Sequence, residues 1–282
     1  MNVITEKELA ELREKLLNKI EEHVLRFHIS LGSYLGSPEV PPPIGSGTFV
    51  KFSILAHVVY GILTAAHVVK GLKFGLPGQP AFVGLSKLQN TDTVACSVSF
   101  PYIYACVEIE GFHSNSDNAY KPDIAFIALG IDGCLPNHEL ITESLFYDLD
   151  SNKELVMYDP HIASAFYRGA APTRPDGLLD TAVCIGGEEK LRFDDKAHLQ
   201  YWELPNDTSK SIAGGSGAGF WRFYCEKEQI TPSLEGVIIS EERSNYSYFE
   251  ALATPYLYED FLPKLKKFSE KNLSDFGSKA NA

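Results

Sequence analysis

The sequence has no long hydrophobic run and no secretory signal pattern. No stretch reaches the roughly 18 apolar residues that a helix needs to span a bilayer. The first residues, MNVITEKELAELREKLLNK, are charged throughout and lack the short apolar core and small-residue cleavage site of a signal peptide. These absences predict a cytoplasmic protein with no membrane partner.

Basic residues and metal-binding motifs are also scarce. The 282 residues include 25 Lys and Arg against 37 Asp and Glu, which gives a formal net charge of -12 at pH 7. Such a charge repels phosphate backbones and disfavours nucleic acid as a partner. The sequence contains no CxxC pair and no HExxH motif, so we expect neither a metal site nor a cofactor.

Cysteine is limited to five residues, an odd number that disfavours a disulfide framework. Most of the five lie in apolar, strand-like runs, which is typical of reduced thiols in a cytosolic protein. We therefore expect each cysteine to act as a small hydrophobic core residue. The five are Cys96, Cys106, Cys134, Cys184 and Cys225.

The N-terminal residues carry a helical pattern. Thr5 and Glu8 form a capping box, and apolar residues follow at spacings of three and four, which predicts a helix from residue 5 to about 28. The apolar face of this helix comprises Leu9, Leu12, Leu16, Ile20 and Val24. That face either packs on the main body of the protein or docks a regulatory protein partner. The stretch 36–47, GSPEVPPPIGSG, then predicts a stiff linker.

A second helical pattern lies near the C-terminus. Thr254 as a cap and Pro255 at the first position predict a helix start. Pro263 is expected to kink this helix or to restart it. Its apolar face would comprise Leu257, Phe261, Leu265 and Phe268.

Between the helices, short runs rich in Val, Ile, Phe and Tyr recur about every ten residues, separated by Gly, Pro, Asn and Asp. Even strand spacing of this kind is typical of a sandwich or a barrel. The number of runs suits an all-β fold of two six-stranded antiparallel β-barrels with a helix at each end. The predicted domains are the N-terminal helix and linker (1–40), the first barrel (41–150), and the second barrel with the C-terminal helix (151–282).

The stretch 213–221, AGGSGAGFW, places one serine among four glycines. A flexible linker is disfavoured because the flanks are apolar and strand-like. A phosphate-binding loop needs a lysine after its second glycine, where this chain has Phe220 and Trp221. A dinucleotide fingerprint is disfavoured because the chain continues as a strand. A tight turn that presents Ser216 as a nucleophile is the remaining interpretation.

A serine nucleophile needs an imidazole base and a carboxylate that orients it. His67 lies in GILTAAHVV, where small alanines follow an apolar strand and allow a close backbone approach. Asp123 opens the apolar strand of KPDIAFIAL, so its carboxylate is expected to be half buried and to need a partner. By contrast, His57 lies in a strand-like run without distinctive neighbours. The remaining histidines lie on the predicted N-terminal helix or in polar, turn-like settings.

The order of these residues along the chain separates hydrolase types. No histidine follows Ser216, since the last one is His198, so the serine-acid-histidine order of α/β-hydrolases is excluded for this nucleophile. The order His67, Asp123, Ser216 is that of the chymotrypsin type.

On these motifs the sequence resembles the trypsin/chymotrypsin-like serine proteases of the PA clan, in their intracellular bacterial form. The resemblance covers roughly residues 44–268 and rests on GSGTFVKF, YGILTAAHVV, KPDIAFIAL, IAGGSGAGFW and EGVIISEE. It implies a serine endopeptidase that acts on a protein or peptide substrate. In that family's roles, His67 is the general base, Asp123 its orienting carboxylate and Ser216 the nucleophile. The backbone N–H groups of Gly214 and Ser216 would form the oxyanion hole.

Three positions depart from the family pattern. Gly215 stands where the family often has an aspartate, and Val68 stands where secreted members have a cysteine. The stretch leading to Ser240 is one residue longer than the family's. The missing aspartate and the lack of an Ile-Val-Gly-Gly-like start disfavour activation by N-terminal cleavage, and Val68 agrees with a reducing compartment. They leave an alternative from another class: a catalytically silent protease fold that serves as a binding or scaffold module in a bacterial regulatory or defence complex.

Substrate preference has two opposing signals. By the resemblance, Lys210 would lie at the base of the primary pocket and favour acidic side chains, and Ser240 would line that pocket. Glu241 and Glu242 follow the substrate strand and would attract basic side chains instead. The preferred residue at the cleavage site therefore stays open.

Overall fold

Two β-sheets and three α-helices make up the part of the chain that the structure describes. The computed structural model describes residues 6–33, 43–72, 82–89, 92–99, 102–104, 123–135, 141–152, 161–171, 180–186, 191–194, 199–204, 215–226, 229–243, 247–252 and 256–273. The α-helices are α1 (Glu6–Phe27), α2 (Ala66–Gly71) and α3 (Leu262–Lys271). None of the helices in these ranges combines the length and the apolar character that a membrane-crossing helix needs.

The first sheet contains eight strands. They are β1 (His28–Ser33), β2 (Pro43–Ile54), β3 (His57–Thr64), β4 (Phe82–Gln89), β5 (Asp92–Ser99), β6 (Tyr102–Tyr104), β7 (Ala125–Ile131) and β8 (Tyr147–Asp148). Their order is β5-β4-β1-β2-β3-β7-β6, and β8 adds to β2 in parallel. Strands β2 and β3 form a hairpin whose two-residue turn has Leu55 at a φ of 51°, since two-residue hairpin turns favour a left-handed backbone.

The second sheet contains seven antiparallel strands. They are β9 (His161–Ala171), β10 (Asp180–Gly186), β11 (Leu191–Asp194), β12 (Leu199–Leu204), β13 (Gly219–Glu226), β14 (Gln229–Arg243) and β15 (Ser247–Leu252). Their order is β10-β9-β13-β14-β15-β12-β11. Strand β13, which follows the predicted nucleophile, therefore lies inside the sheet between β9 and β14.

The predicted sheet-rich, antiparallel class with a few helices is confirmed. Across the described residues, each sheet runs from one edge strand to the other without closing on itself, and the sheets contain eight and seven strands rather than six each. The predicted domain boundaries after residues 40 and 150 stay a prediction.

The predicted linker is partly wrong. Helix α1 ends at Phe27 and the chain continues directly into β1, and residues 43–47 of the expected linker belong to β2. Pro43 is tolerated because it is the first residue of its strand. Gly45 serves packing rather than flexibility, since a Cβ there would lie 2.4 Å from Cγ2 of Val68.

The N-terminal helix packs on the body of the protein through its second half. Ile20 and Val24 are fully or almost fully buried, as is Phe27. Arg26 donates two hydrogen bonds, at 2.9 and 3.2 Å, to the carbonyl of Ser144, which lies between β7 and β8. The side chains of Leu9 and Leu12 lie outside the described residues, so docking of a partner by the first half of α1 stays a prediction.

An aromatic cluster connects α1 to the strand that follows the predicted nucleophile. The ring of His23 lies edge-on to Trp221, with centroids 4.7 Å apart, and to Phe223 at 5.6 Å. Phe27 and Tyr147 complete the cluster around it, at 5.0 and 6.3 Å. Edge-to-face packing at these separations stabilises aromatic pairs beyond their buried area. Helix α1 therefore packs directly against the buried aromatic side chains of β13.

The buried imidazole in this cluster predicts an acid-sensitive stability. Nε2 of His23 is buried and has no hydrogen-bond partner within the described part of the chain. Burial, and to a smaller extent the positive charge of Arg26, lowers the pKa of His23 from 6.5 to about 4. The unfolded chain therefore binds a proton at this imidazole more readily than the folded protein does. As the pH falls from above 6.5 toward 4, we expect the free energy of unfolding to fall by about 3 kcal/mol through this group.

Replacing His23 by phenylalanine keeps an aromatic ring in the cluster and removes this titration. Chemical denaturation of both proteins at several pH values between 4 and 7 measures the difference, because other groups titrate equally in both. We expect the wild type to lose stability relative to His23→Phe as the pH falls through this window. Parallel pH curves would contradict the burial of a neutral imidazole.

The C-terminal segment divides at the proline, as the sequence predicts. A π-helical turn at Tyr256–Phe261 precedes α3, and Pro263 lies in the first turn of α3, where its missing N–H breaks no helical bond. Leu257, Phe261 and Leu265 are buried, but Phe268 is 38% exposed. Thr254 and Pro255 lie outside the described residues.

One cysteine differs from its expected role. Cys134 is exposed instead of forming part of the core. It follows the turn at Asp132 and Gly133, both of which have positive φ, so the chain has already left the buried strand β7. The other four cysteines have no described side chains, and their expected burial stays a prediction.

Candidate active site

His67 lies in the first turn of α2, directly after β3, whose last six residues are buried. Strand β3 ends at Thr64, and Ala65 and Ala66 follow with no exposed surface. Because neither alanine has exposed surface, a larger side chain at either position would have to displace its neighbours. The side chain of His67 is 37% exposed, which gives the imidazole access to solvent.

Asp123 binds His67 through both of its carboxylate oxygens. Oδ1 accepts the backbone N–H of His67 at 2.8 Å, an N–H that has no partner within the helix because it lies in the first turn. Oδ2 contacts Nδ1 of the imidazole. The Asp123 side chain is fully buried, so these bonds compensate for the loss of hydration of its charge.

The contact with Asp123 determines the tautomer of His67. A carboxylate can only accept hydrogen bonds, so Nδ1 must carry the proton in this pair. In the neutral imidazole Nε2 is then the nitrogen with the lone pair. In this tautomer, Nε2 is the ring atom that can accept a proton from a neighbouring hydroxyl group.

Ser216 lies in a tight turn before β13. The N–H of Ala218 donates to the carbonyl of Gly215 at 3.0 Å, which closes the turn around Ser216 and Gly217. Gly217 has a φ of +91°, at the third position of the turn, where a type II turn requires glycine. The glycine-serine stretch therefore forms a turn at its described end, Gly215 onward, and not a flexible segment.

Strand β14 anchors this turn from the second sheet. The N–H of Gly217 donates to the carbonyl of Ile238 at 2.7 Å, and the N–H of Ile238 donates to Ala218 at 2.8 Å. The hydroxyl of Ser216 donates to the carbonyl of Ile239 at 3.3 Å, and Ser216 is partly exposed. The turn is thus fixed by the backbone, and the serine side chain reaches solvent.

The turn also contacts the end of β3 that leads to His67. The N–H of Ser46 donates to the carbonyl of Ser216 at 2.7 Å. A Cβ on Gly217 would lie 2.2 Å from Oγ1 of Thr64 and 3.1 Å from the backbone nitrogen of Ala65. The structure therefore joins His67 to Asp123 and places the backbone of the Ser216 turn against the residues just before His67. Their triad roles stay a prediction.

The other predicted site residues are less well described. Gly214 and Lys210 lie outside the described residues, so the oxyanion hole and the base of the primary pocket stay predictions. The backbone of Ser240 lies in β14 opposite Glu250. Within the described ranges, no group of three His, Cys, Asp or Glu side chains has a geometry that could hold a metal ion.

A second histidine-aspartate pair was missed by the sequence interpretation, which gave His57 no distinctive neighbour. Nδ1 of His57 lies 2.6 Å from Oδ2 of Asp132, and the N–H of Val58 donates to Oδ1 at 2.9 Å. These side chains are 43% and 47% exposed, and the hydrogen bond from His57 lowers the pKa of Asp132. The one local signal in the sequence is the Asp132-Gly133 pair, which predicts a turn after β7 but does not identify His57 as the partner of Asp132.

Comparison with known proteins does not assign the chain. No family model matches the sequence, and no curated protein matches it. A function therefore has to be inferred from the geometry of the site and from the order of the motifs.

Proposed function

We propose that this chain is a serine endopeptidase of the trypsin/chymotrypsin-like type, with Ser216, His67 and Asp123 as its catalytic triad. The observation that supports the proposal most strongly is the fully buried Asp123 carboxylate, which holds the partly exposed His67 by two contacts. A carboxylate that orients an imidazole next to a serine is the arrangement that activates a hydroxyl group.

In the proposed mechanism, Oγ of Ser216 attacks the carbonyl carbon of a peptide bond while Nε2 of His67 accepts the hydroxyl proton. His67 then gives this proton to the leaving amine, and the acyl group remains on Ser216 as an ester. Water attacks the ester with His67 as base, and the second collapse releases the carboxylic acid and restores the hydroxyl. The N–H groups of Gly214 and Ser216 would stabilise the oxyanion in both steps.

The finer architecture belongs to the same proposal. The two sheets would represent the two β-barrels of a chymotrypsin-like fold, with His67 and Asp123 from the first and Ser216 from the second. The contacts of the Ser216 turn with both sheets support this, because it bonds to Ser46 of β2 and to Ile238 of β14. Lys210 and Ser240 would line the primary pocket, and the substrate would be a protein or peptide.

Hydrolysis of a peptide library by the folded, full-length protein tests this function. We expect cleavage at internal peptide bonds, and we expect one equivalent of a fluorophosphonate, which phosphonylates activated serines, to abolish it. A heat-denatured sample is the control for contaminating proteases added with the substrates. Folded protein that neither cleaves any peptide nor reacts with the fluorophosphonate would contradict the proposal.

The second candidate is the catalytically silent protease fold that acts as a binding or scaffold module. One observation favours it: the hydroxyl of Ser216 has a single proton, and this proton is directed to the carbonyl of Ile239. Gly215, in place of the family's aspartate, leaves the preceding loop without that side-chain anchor. For a scaffold we expect a folded protein that binds partners but never reacts with the fluorophosphonate.

A further inference from the structure

The first residues of β2 contact both halves of the proposed site through Ser46. In an antiparallel strand, the N–H and C=O of one residue point to the same side. The backbone pairing between β2 and β3 begins at Thr48 and Leu63. Ser46 precedes Thr48 and is therefore outside this ladder. Its N–H instead donates to the carbonyl of Ser216 at 2.7 Å, and its carbonyl accepts the hydroxyl of Thr64 at 2.6 Å.

These two hydrogen bonds connect Thr64, the last residue of β3, through Ser46 to the turn that contains Ser216. Thr64 is three residues before His67, and both Thr64 and Ser46 are almost completely buried. Buried polar groups of this kind cannot exchange a lost protein partner for bulk water, so each bond constrains the next residue. The hydroxyl of Thr64 takes the place of a ladder donor at the point where β3 ends.

The same two atoms shape the space in which the serine turn closes. A Cβ on Gly217 would lie 2.1 Å from the carbonyl oxygen of Ser46 and 2.2 Å from Oγ1 of Thr64. The turn is therefore packed directly on the hydrogen bond between Ser46 and Thr64. A movement of either group would shift the residue next to the nucleophile.

From this geometry we propose that Thr64 is a positioning residue for the proposed peptidase: its hydroxyl fixes Ser46, and Ser46 holds Ser216 in register with His67. The inference rests on the proposed function, because it assigns Thr64 a role in that same reaction. Thr64 does not touch substrate. Its removal should therefore slow the attack by Ser216 and leave substrate binding unchanged.

The test compares Thr64→Val, which keeps the branched shape and loses the hydroxyl, with Thr64→Ser, which keeps the hydroxyl. A nucleophile that is misplaced by a fraction of an ångström reacts more slowly, so we expect kcat and the fluorophosphonate labelling rate of Thr64→Val to fall by about 10- to 100-fold. We expect KM to stay within about twofold, and Thr64→Ser to retain most of the wild-type rate.

Ser233→Ala is the matched control for general destabilisation. Ser233 is also buried and donates at 2.7 Å, but to Glu235 within the second sheet. We expect this variant to lose stability without slowing the labelling. If Thr64→Val does not fold, Thr64→Ala removes the same hydroxyl in a smaller side chain and is compared with Thr64→Ser.

Three results would overturn this inference while the wild type labels normally: a hydroxyl-free variant that labels at the wild-type rate, a Thr64→Ser variant that is equally slow, or a Ser233→Ala variant that is equally slow. A folded wild type that does not label at all would instead overturn the proposed function, and this inference with it.

Discussion

Ser216→Ala is expected to lower kcat by about 10⁴- to 10⁶-fold, because it removes Oγ, the only protein atom that forms a covalent bond with the substrate in the proposed mechanism. The fold should be retained, since the turn is held by backbone groups: the carbonyl of Ser216 accepts from Ser46 and the N–H of Gly217 donates to Ile238. Alanine leaves both bonds intact. Initial rates of peptide hydrolysis, together with melting temperatures, measure the change.

Ser53→Ala is the control for this substitution. Ser53 is an exposed serine on β2, and its backbone N–H rather than its side chain donates to Asp150, at 2.7 Å. We expect this variant to keep wild-type activity. A Ser216→Ala protein that retains a tenth or more of the activity would show that another group is the nucleophile.

Asp123→Asn is expected to lower kcat by about 10⁴-fold, through the tautomer of His67. The backbone N–H of His67 requires an acceptor, so the amide oxygen of the new side chain would face it, as Oδ1 does now. The amide nitrogen would then face Nδ1, where Oδ2 now lies, and would donate to it. Nδ1 would have to be the acceptor, which places the proton on Nε2 and removes the base.

The second histidine-aspartate pair provides a matched control within the same chain. Like Asp123, Asp132 bonds to one imidazole and one backbone N–H. Its partners are His57 and the next residue, Val58, whereas both partners of Asp123 belong to His67. The pair is exposed, so we expect Asp132→Asn to change kcat by less than about twofold. Equal losses in both variants would contradict a specific role for Asp123, and so would an Asp123→Asn protein with wild-type kcat.

Local patterns in the sequence predicted the two terminal helices, but neither α2 nor the strand β1. The apolar spacing of α1 and the proline in α3 depend on residues within a few positions of each other, and both were predicted. The strand β1 was missed because HISLGS is short and is stabilised by pairing with β2 and β4, which lie far along the chain. Residues 43–47 were expected to be linker because glycine and proline indicate loops when packing is unknown.

In the candidate site too, residues with a distinctive local pattern were predicted, whereas contacts between distant parts of the chain were not. His67 and Asp123 were predicted as partners because each stands next to a distinctive local pattern, small alanines in one case and an apolar strand in the other, and the structure brings the two into contact. His57 and Asp132 are 75 residues apart, and no local pattern links them. Thr64 and Ser46 were missed for the same reason, since their hydrogen bond exists only when β2 and β3 are in register.

The most direct test of the central claim is the position of the fluorophosphonate adduct, found by peptide mapping and mass spectrometry on the wild type, His67→Ala and His57→Ala. We expect a single adduct on Ser216 in the wild type, the same adduct in His57→Ala, and almost none in His67→Ala over the same time. An adduct on another residue, or equal labelling of Ser216 in His67→Ala, would contradict it.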